Sequence, residues 1–258
     1  TASNTAGGPI RRSCRAVRAV HHRRCRSEAR ASAERVSGRV NPARSGWAGE
    51  RSLFFGILFV ALTLRVGWRA WSGPQVFWSE GYTFFFEFAQ RLAAGSGYVD
   101  AEGAATAFRV PLYPLALALL TGGERAFWPV LAFQALVSTG TVACAALLAR
   151  EWFGVRAGLV AGAICAVYPY YAIHDTSLAE TGLYTFLTAL GVLLMVRSRR
   201  AQTSARGSLA LAAAAGTVLG LAILTRATLT PFVPLAAAWL VAVPRDGAGR
   251  RHGLLAGA

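Results

Sequence analysis

The chain has 258 residues, 54% of them hydrophobic and only 15% charged, with a positive mean hydropathy of +0.41. That composition excludes a soluble domain that must keep a wetted surface, since ordinary globular chains carry about 25% charge. The formal charge of +15 comes wholly from arginine, which together with abundant Ala and Gly indicates a GC-rich coding sequence rather than a nucleic-acid-binding code.

Residues 1–51 hold twelve arginines against Glu28, Glu34 and Glu50, with few large apolar side chains. Such a stretch cannot bury enough surface to fold alone, so it is expected to be a disordered, cytoplasmic, Arg-rich tail, of a basic kind that could touch nucleic acid or anionic lipid but is more often simply solvated. It is too long and charged for a secretory signal, and no small-residue cleavage site follows the next apolar run. Cys14 and Cys25 lie in the tail, and Cys144 and Cys165 in apolar segments. Neither pair has the spacing of a zinc or redox site, so all four are expected to be reduced thiols. The chain begins with Thr and stops in a basic loop, so the expectation is an N-terminal fragment of a longer protein, residues 52–258 forming part of its membrane module.

The rest is a series of apolar blocks close to the roughly 20 residues that a helix needs to cross a bilayer, which predicts an all-α, polytopic transmembrane bundle. The first span is expected over Leu53 to Trp71, with Arg65 and Arg69 snorkelling toward headgroups and Trp68, Trp71 and Trp78 forming an interfacial belt. A long outer loop, 72–126, follows. Within it Tyr82 to Ala94 has helical apolar spacing, Gly95, Gly97 and Gly103 break the pattern, and Pro111 and Pro114 open an apolar run to Leu120 that is too short to span. These are predicted interfacial helices. Further spans are expected near Phe127–Ala149, Ala157–Ile173, Leu178–Val196, Ser208–Leu224 and Leu229–Val243. Six spans put the arginine clusters at 150–156, 197–206 and 245–251 in the cytoplasm, as the positive-inside rule requires. The acidic loop and the turns 168–180 and 224–231 then share the outer face.

Chemistry is sought where charge gathers against this apolar background. Glu80, at the exit of the first span, is either a general base for an acceptor hydroxyl or an interfacial acid anchoring its loop. Arg109, just before VPLYP, either binds an anionic group such as phosphate with its planar donors or snorkels. His174, Asp175 and Glu180 group at a span boundary, where ionisable residues suggest a cavity. Adjacent residues of one helix point apart, so His174 and Asp175 are not expected to hold a metal. No cofactor is indicated, although a divalent cation is compatible with the sequence. Arg226 either meets Glu180 or a second phosphate oxygen, or favours a helix C-terminus.

Six short elements recur in order: an Arg-terminated first span, AQRLAAGSGY (89–98), PLYP (111–114), LAREWFG (148–154), YPYYAIHDTSLAE (168–180) and GLAILTR (220–226). This order resembles the GT-C membrane glycosyltransferases, in particular bacterial relatives of dolichyl-phosphate-mannose protein mannosyltransferases and of lipid A aminoarabinose transferases. The resemblance covers about residues 52–245. It implies transfer of a sugar from a polyprenyl-phosphate carrier, at the outer face of the cytoplasmic membrane, to an acceptor it does not specify. It implies Glu80 as the catalytic base and Arg109 with Arg226 as ligands of the donor phosphate. Tyr82, Glu87, Asp100, Tyr113, His174, Asp175 and Glu180 then line the cavity or meet the acceptor. Ser79 stands where the family often has Asp, which leaves Glu80 as the acid of that pair and Glu87 and Asp100 as its substitutes. The implied partners are the lipid-linked sugar and membrane lipids, with no nucleic acid. A transporter or flippase is the alternative, but it predicts inverted repeats and broken helices at the midplane, and the charges here sit at span ends.

Overall fold

Thirty consecutive residues, Arg51–Glu80, form helix α1. The computed structural model describes residues 50–80, 82–106, 109–200 and 205–242, without the side chains of Glu80, Ala205 and Val241. The tail to residue 49 and the arginine cluster at 245–251 lie outside the described residues.

The first helix does not stop at Trp71. Gly73 takes φ 83°, ψ 165°, a backbone shape that side chains disfavour, and Pro74 removes one amide, so the helix kinks there and resumes. The outer loop therefore starts nine residues later than its sequence suggests, and Glu80 is the last residue of a helix. Helix α2, Thr83–Ala93, follows and buries Phe85, Phe86, Phe88 and Ala89. Helix α3, Leu112–Thr121, opens behind Pro111 and closes on Gly122 at φ 60°. Both were expected, within a residue or two.

Helix α4 is Phe127–Phe153, α5 Val155–Val167, α6 Pro169–His174, α7 Thr181–Arg200 and α8 Ala205–Ile223. A 3-10 turn, Ala227–Leu229, leads to α9, Phe232–Ala242. Among the described residues, four helices (α1 over Arg51–Ser79, α4, α7 and the part of α8 from Arg206) are long and apolar enough to cross a membrane. The expected span 157–173 is broken at Tyr168, where Pro169 cannot continue the ladder and starts α6 instead. Thirteen residues of α5 rise about 20 Å, short of the roughly 30 Å hydrocarbon core.

The chain still alternates between two ends. Helix α5 runs in the same direction as α1, because Ile57 lies beside Gly162, Arg65 reaches the carbonyls of Cys165 and Ala166, and Arg69 reaches that of Ile173. At one end, Glu151 pairs with Arg197 at 3.4 Å and Arg200 at 3.9 Å, and Ser208 donates to the Ser198 carbonyl. At the other, Tyr82 meets Leu178. These are called the Arg197 end and the Tyr82 end.

An aromatic cluster fixes the Tyr82 end. Phe77 meets Phe127 at 5.3 Å, Trp78 meets Phe86 at 4.8 Å and Phe85 meets Tyr113 at 5.1 Å, all edge to face. Each such pair adds about 0.5–1.5 kcal/mol beyond its buried area. The α2–α3 hairpin is thereby packed on α1 and α4 instead of lying loose on a surface. Trp78 is part of this cluster, whereas Trp68 and Trp71 stay exposed as a belt predicts.

Candidate functional site

Two backbone hydrogen bonds assemble the Tyr82 end. The Tyr82 amide donates to the Leu178 carbonyl at 2.9 Å, and the Leu112 amide donates to the Leu224 carbonyl at 3.0 Å. The first ties the end of α1 to the turn before α7. The second ties PLYP to the end of α8. The outer loop and both later turns thus meet, as the sequence suggested.

Side chains reinforce the junction. Gln134 of α4 donates through Nε2 to the Tyr113 hydroxyl at 2.7 Å and also to the Ser177 carbonyl. Tyr113 is buried, which raises its phenol, and Glu180 is close enough to push it the same way. Glu180 is itself buried. Its carboxylate makes no hydrogen bond or ion pair among the described residues.

The two expected phosphate ligands both reach this end and are exposed. Arg109 lies over the Phe84 ring at 5.2 Å, and its carbonyl accepts from the Tyr98 hydroxyl at 3.1 Å. Burial raises the Tyr98 phenol, while the Arg109 charge opposes the rise. Arg226 lies over the Tyr184 ring at 5.9 Å, one helical turn from Glu180. No ion pair joins Arg226 to Glu180. The exposed Tyr82 ring is 5.5 Å from Phe84, so Tyr82 and Arg109 flank one aromatic side chain. Glu80 ends α1 two residues before Tyr82; its side chain lies outside the described residues.

Other candidates have local partners. The Asp100 carboxylate accepts from the amides of Glu102 and Ala104, at 3.1 and 2.8 Å, and so closes its own turn. Glu87 is exposed on α2 and faces Arg91 at 3.9 Å. His174 is exposed and rests 4.2 Å from the Tyr170 ring, while its neighbour Asp175 is buried. The two point apart, as adjacent helical residues must. Among the described residues no group of three His, Cys, Asp or Glu gathers.

The clearest difference from the sequence reading concerns Arg65 and Arg69. Neither snorkels: Arg65 is 0% and Arg69 2% exposed. Arg65 donates through Nε to Ser138 at 2.6 Å, and through its terminal nitrogens to the carbonyls of Ala61, Cys165 and Ala166. Arg69 donates to the Ile173 carbonyl at 2.9 Å and to Thr176, and lies over Phe77 at 5.8 Å. The reason is the break at Tyr168. It leaves carbonyls free at the C-termini of α5 and α6, and two arginines one turn apart on α1 supply the donors. Ser138 in turn donates to the Asp175 carboxylate at 2.7 Å. Burial lifts the Asp175 carboxyl above its usual range, and the Ser138 hydrogen bond and Arg65 charge pull it back.

Sequence reasoning missed Ser138 and Gln134. The available signal was a pair of polar residues four apart in the apolar helix α4, of which Ser138 meets Arg65 of α1 and Gln134 meets Tyr113.

Residues 110–257, more than half of the chain, match the family model described as dolichyl-phosphate-mannose-protein mannosyltransferase. No curated protein and no solved structure matches. The matched stretch contains Tyr113, His174, Asp175, Glu180 and Arg226, whereas Glu80, Tyr82, Glu87, Asp100 and Arg109 precede it. With its apolar helices and this match, the chain is a multi-pass membrane protein that belongs to the dolichyl-phosphate-mannose-protein mannosyltransferase family of membrane glycosyltransferases.

Proposed function

We propose that this protein moves a sugar from a polyprenyl-phosphate donor to a hydroxyl of a lipid, glycan or protein acceptor, at the outer face of the cytoplasmic membrane. The observation that carries this reading is the pair of backbone joints, Tyr82 to Leu178 and Leu112 to Leu224. They gather Arg109, Arg226 and the end of α1 at one end of the bundle.

In the proposed step, the acceptor oxygen attacks the anomeric carbon as the bond from that carbon to the phosphate oxygen breaks, with inversion. The acceptor proton passes to Glu80. The phosphate leaves with the bonding electrons, and Arg109 and Arg226 offset its added charge. A phosphate is already a competent leaving group, so the protein mainly orients two reactants and removes one proton. In this reading Tyr113 and Glu180, both buried at the same end, line the site, and Asp100 and Glu87 serve the loop instead.

The test uses the full-length protein in membrane vesicles with a synthetic polyprenyl-phosphate sugar, following the donor by mass spectrometry. Wild type is expected to convert sugar-loaded carrier into bare carrier phosphate only when acceptor is present. Glu80→Gln is expected to lower turnover by about 10²–10⁴-fold, the usual worth of a positioned base, while donor still binds. Unchanged turnover removes Glu80 from the step, and a wild type that never consumes the donor rejects the reading.

A further inference from the structure

We infer that the buried chain Arg65–Ser138–Asp175 is the positioning device of the transfer site, holding the 174–180 turn in the register that the two joints require. This rests on the transfer reading for its catalytic consequence, but its structural part stands by itself.

All three residues are inside: Arg65 and Ser138 are 0% exposed and Asp175 is 4% exposed. They come from three elements, namely α1, α4 and the turn after α6. The Arg65 guanidinium holds the last carbonyls of α5 and, through the Ser138 hydroxyl, the Asp175 carboxylate. A broken helix pair has no ladder of its own to fix the angle between its halves. Here the angle is set from outside, by donors on α1.

What the turn carries explains why its place matters. Two and three residues after Asp175, the carbonyls of Ser177 and Leu178 accept from Gln134 and from the Tyr82 amide. The first bond leads through Gln134 to Tyr113, three residues before which Val110 follows Arg109. The second leads to Tyr82, two residues after Glu80. Glu180 lies two residues further along the same turn. A shift of the turn therefore moves both flanks of the site together, and misplacement by about 1 Å can cost 10²-fold in rate. Asp175 is a positioning residue in this account and touches no substrate.

The geometry distinguishes shape from charge. Asparagine at 175 keeps an oxygen that accepts from Ser138, whereas alanine does not, and alanine at 138 cuts the chain at its middle with the loss of one hydroxyl.

The experiment measures two quantities on the full-length protein in nanodiscs. The first is amide exchange in the peptide containing Tyr82, which needs no activity. The second is donor turnover, with kcat and KM separated. Asp175→Ala and Ser138→Ala are expected to speed exchange of the Tyr82 peptide at least tenfold while the middle of α7 stays protected. They are also expected to lower kcat by about 10–100-fold with KM for donor changed less, and Asp175→Asn is expected to restore most of both. Unchanged exchange in Ser138→Ala overturns the inference, whatever the turnover. Faster exchange with normal kcat also overturns it, provided that wild type consumes the donor, because the site then works without the register. If wild type itself consumes no donor, the transfer reading is what fails, and the exchange result alone decides the structural part. Should Asp175→Ala not fold, Ser138→Ala and Asp175→Asn decide the matter.

Discussion

Arg109 and Arg226 differ from Arg65 and Arg69 in exposure, although Arg69 too lies over a ring. Each of the first two lies with its guanidinium over one aromatic ring and remains exposed, whereas the pair on α1 is sealed among carbonyls. An exposed guanidinium beside a ring is within reach of a phosphate that arrives and leaves. A buried one is committed to its partners. Arg109→Ala is therefore expected to weaken binding of the bare polyprenyl phosphate by about 10–100-fold, the worth of a charge-assisted pair of hydrogen bonds. Arg109→Lys is expected to recover only part of this, because an ammonium lacks the planar fork. Competition between the bare carrier lipid and the sugar-loaded donor measures the effect. Unaltered affinity in Arg109→Ala transfers the role to Arg226.

At the scale of the helices, close approach rather than oily attraction holds neighbours together in lipid, so small residues mark the contacts. Gly158 of α5 is the tightest against backbone: a Cβ there meets the Ala146 carbonyl oxygen at 2.7 Å and the Arg150 Cβ at 2.9 Å. Backbone cannot swing aside as a side chain can. Gly158→Ala is expected to cost about 1–3 kcal/mol, the usual range for overpacking. Gly56→Ala, on a face of α1 where nothing lies within 4 Å, is expected to be neutral or stabilising by up to about 1 kcal/mol. Thermal unfolding of the two variants in detergent checks the contrast, and equal effects reject the α4–α5 contact as drawn. The same scale shows what the residues disclosed. Helices α2 and α3 were legible because their apolar spacing and their Gly and Pro boundaries agree. Convergence of the loop with both later turns was legible from the distribution of arginine. The end of α1 was not, because Gly73–Pro74 has the appearance of a terminator and acts as a kink. The burial of Arg65 and Arg69 was hidden for a similar reason. A snorkelling arginine and a buried one have the same sequence, and only the break at Pro169 supplies the carbonyls that decide between them.

For the whole molecule, arginine outnumbers acid at one end only. Among the described residues the Arg197 end gathers Arg51, Arg150, Arg156, Arg197, Arg199, Arg200 and Arg206 against Glu50 and Glu151. The Tyr82 end gathers Glu87, Asp100, Glu102, Glu124, Asp175 and Glu180, with Arg65, Arg69, Arg91, Arg109, Arg125 and Arg226. Arginine near span ends sets orientation, and acids contribute little, so the Arg197 end is expected in the cytoplasm and the Tyr82 end outside. The shortness of α5 leaves this unchanged, since α5 and α6 together still carry the chain from one end to the other. Exposed Glu124 and exposed Arg156 report the two ends. In a background with Cys14, Cys25, Cys144 and Cys165 replaced, Glu124→Cys is expected to react with a membrane-impermeant maleimide on intact cells. Arg156→Cys is expected to react only after the membrane is opened. Labelling of both from outside breaks the alternation of helices. The reversed pattern keeps the bundle but turns Arg109 and Arg226 toward the cytoplasm. A lipid-phosphate donor displayed on the outer leaflet then has no access to them, and the orientation of the proposed reaction fails even if the chemistry stands.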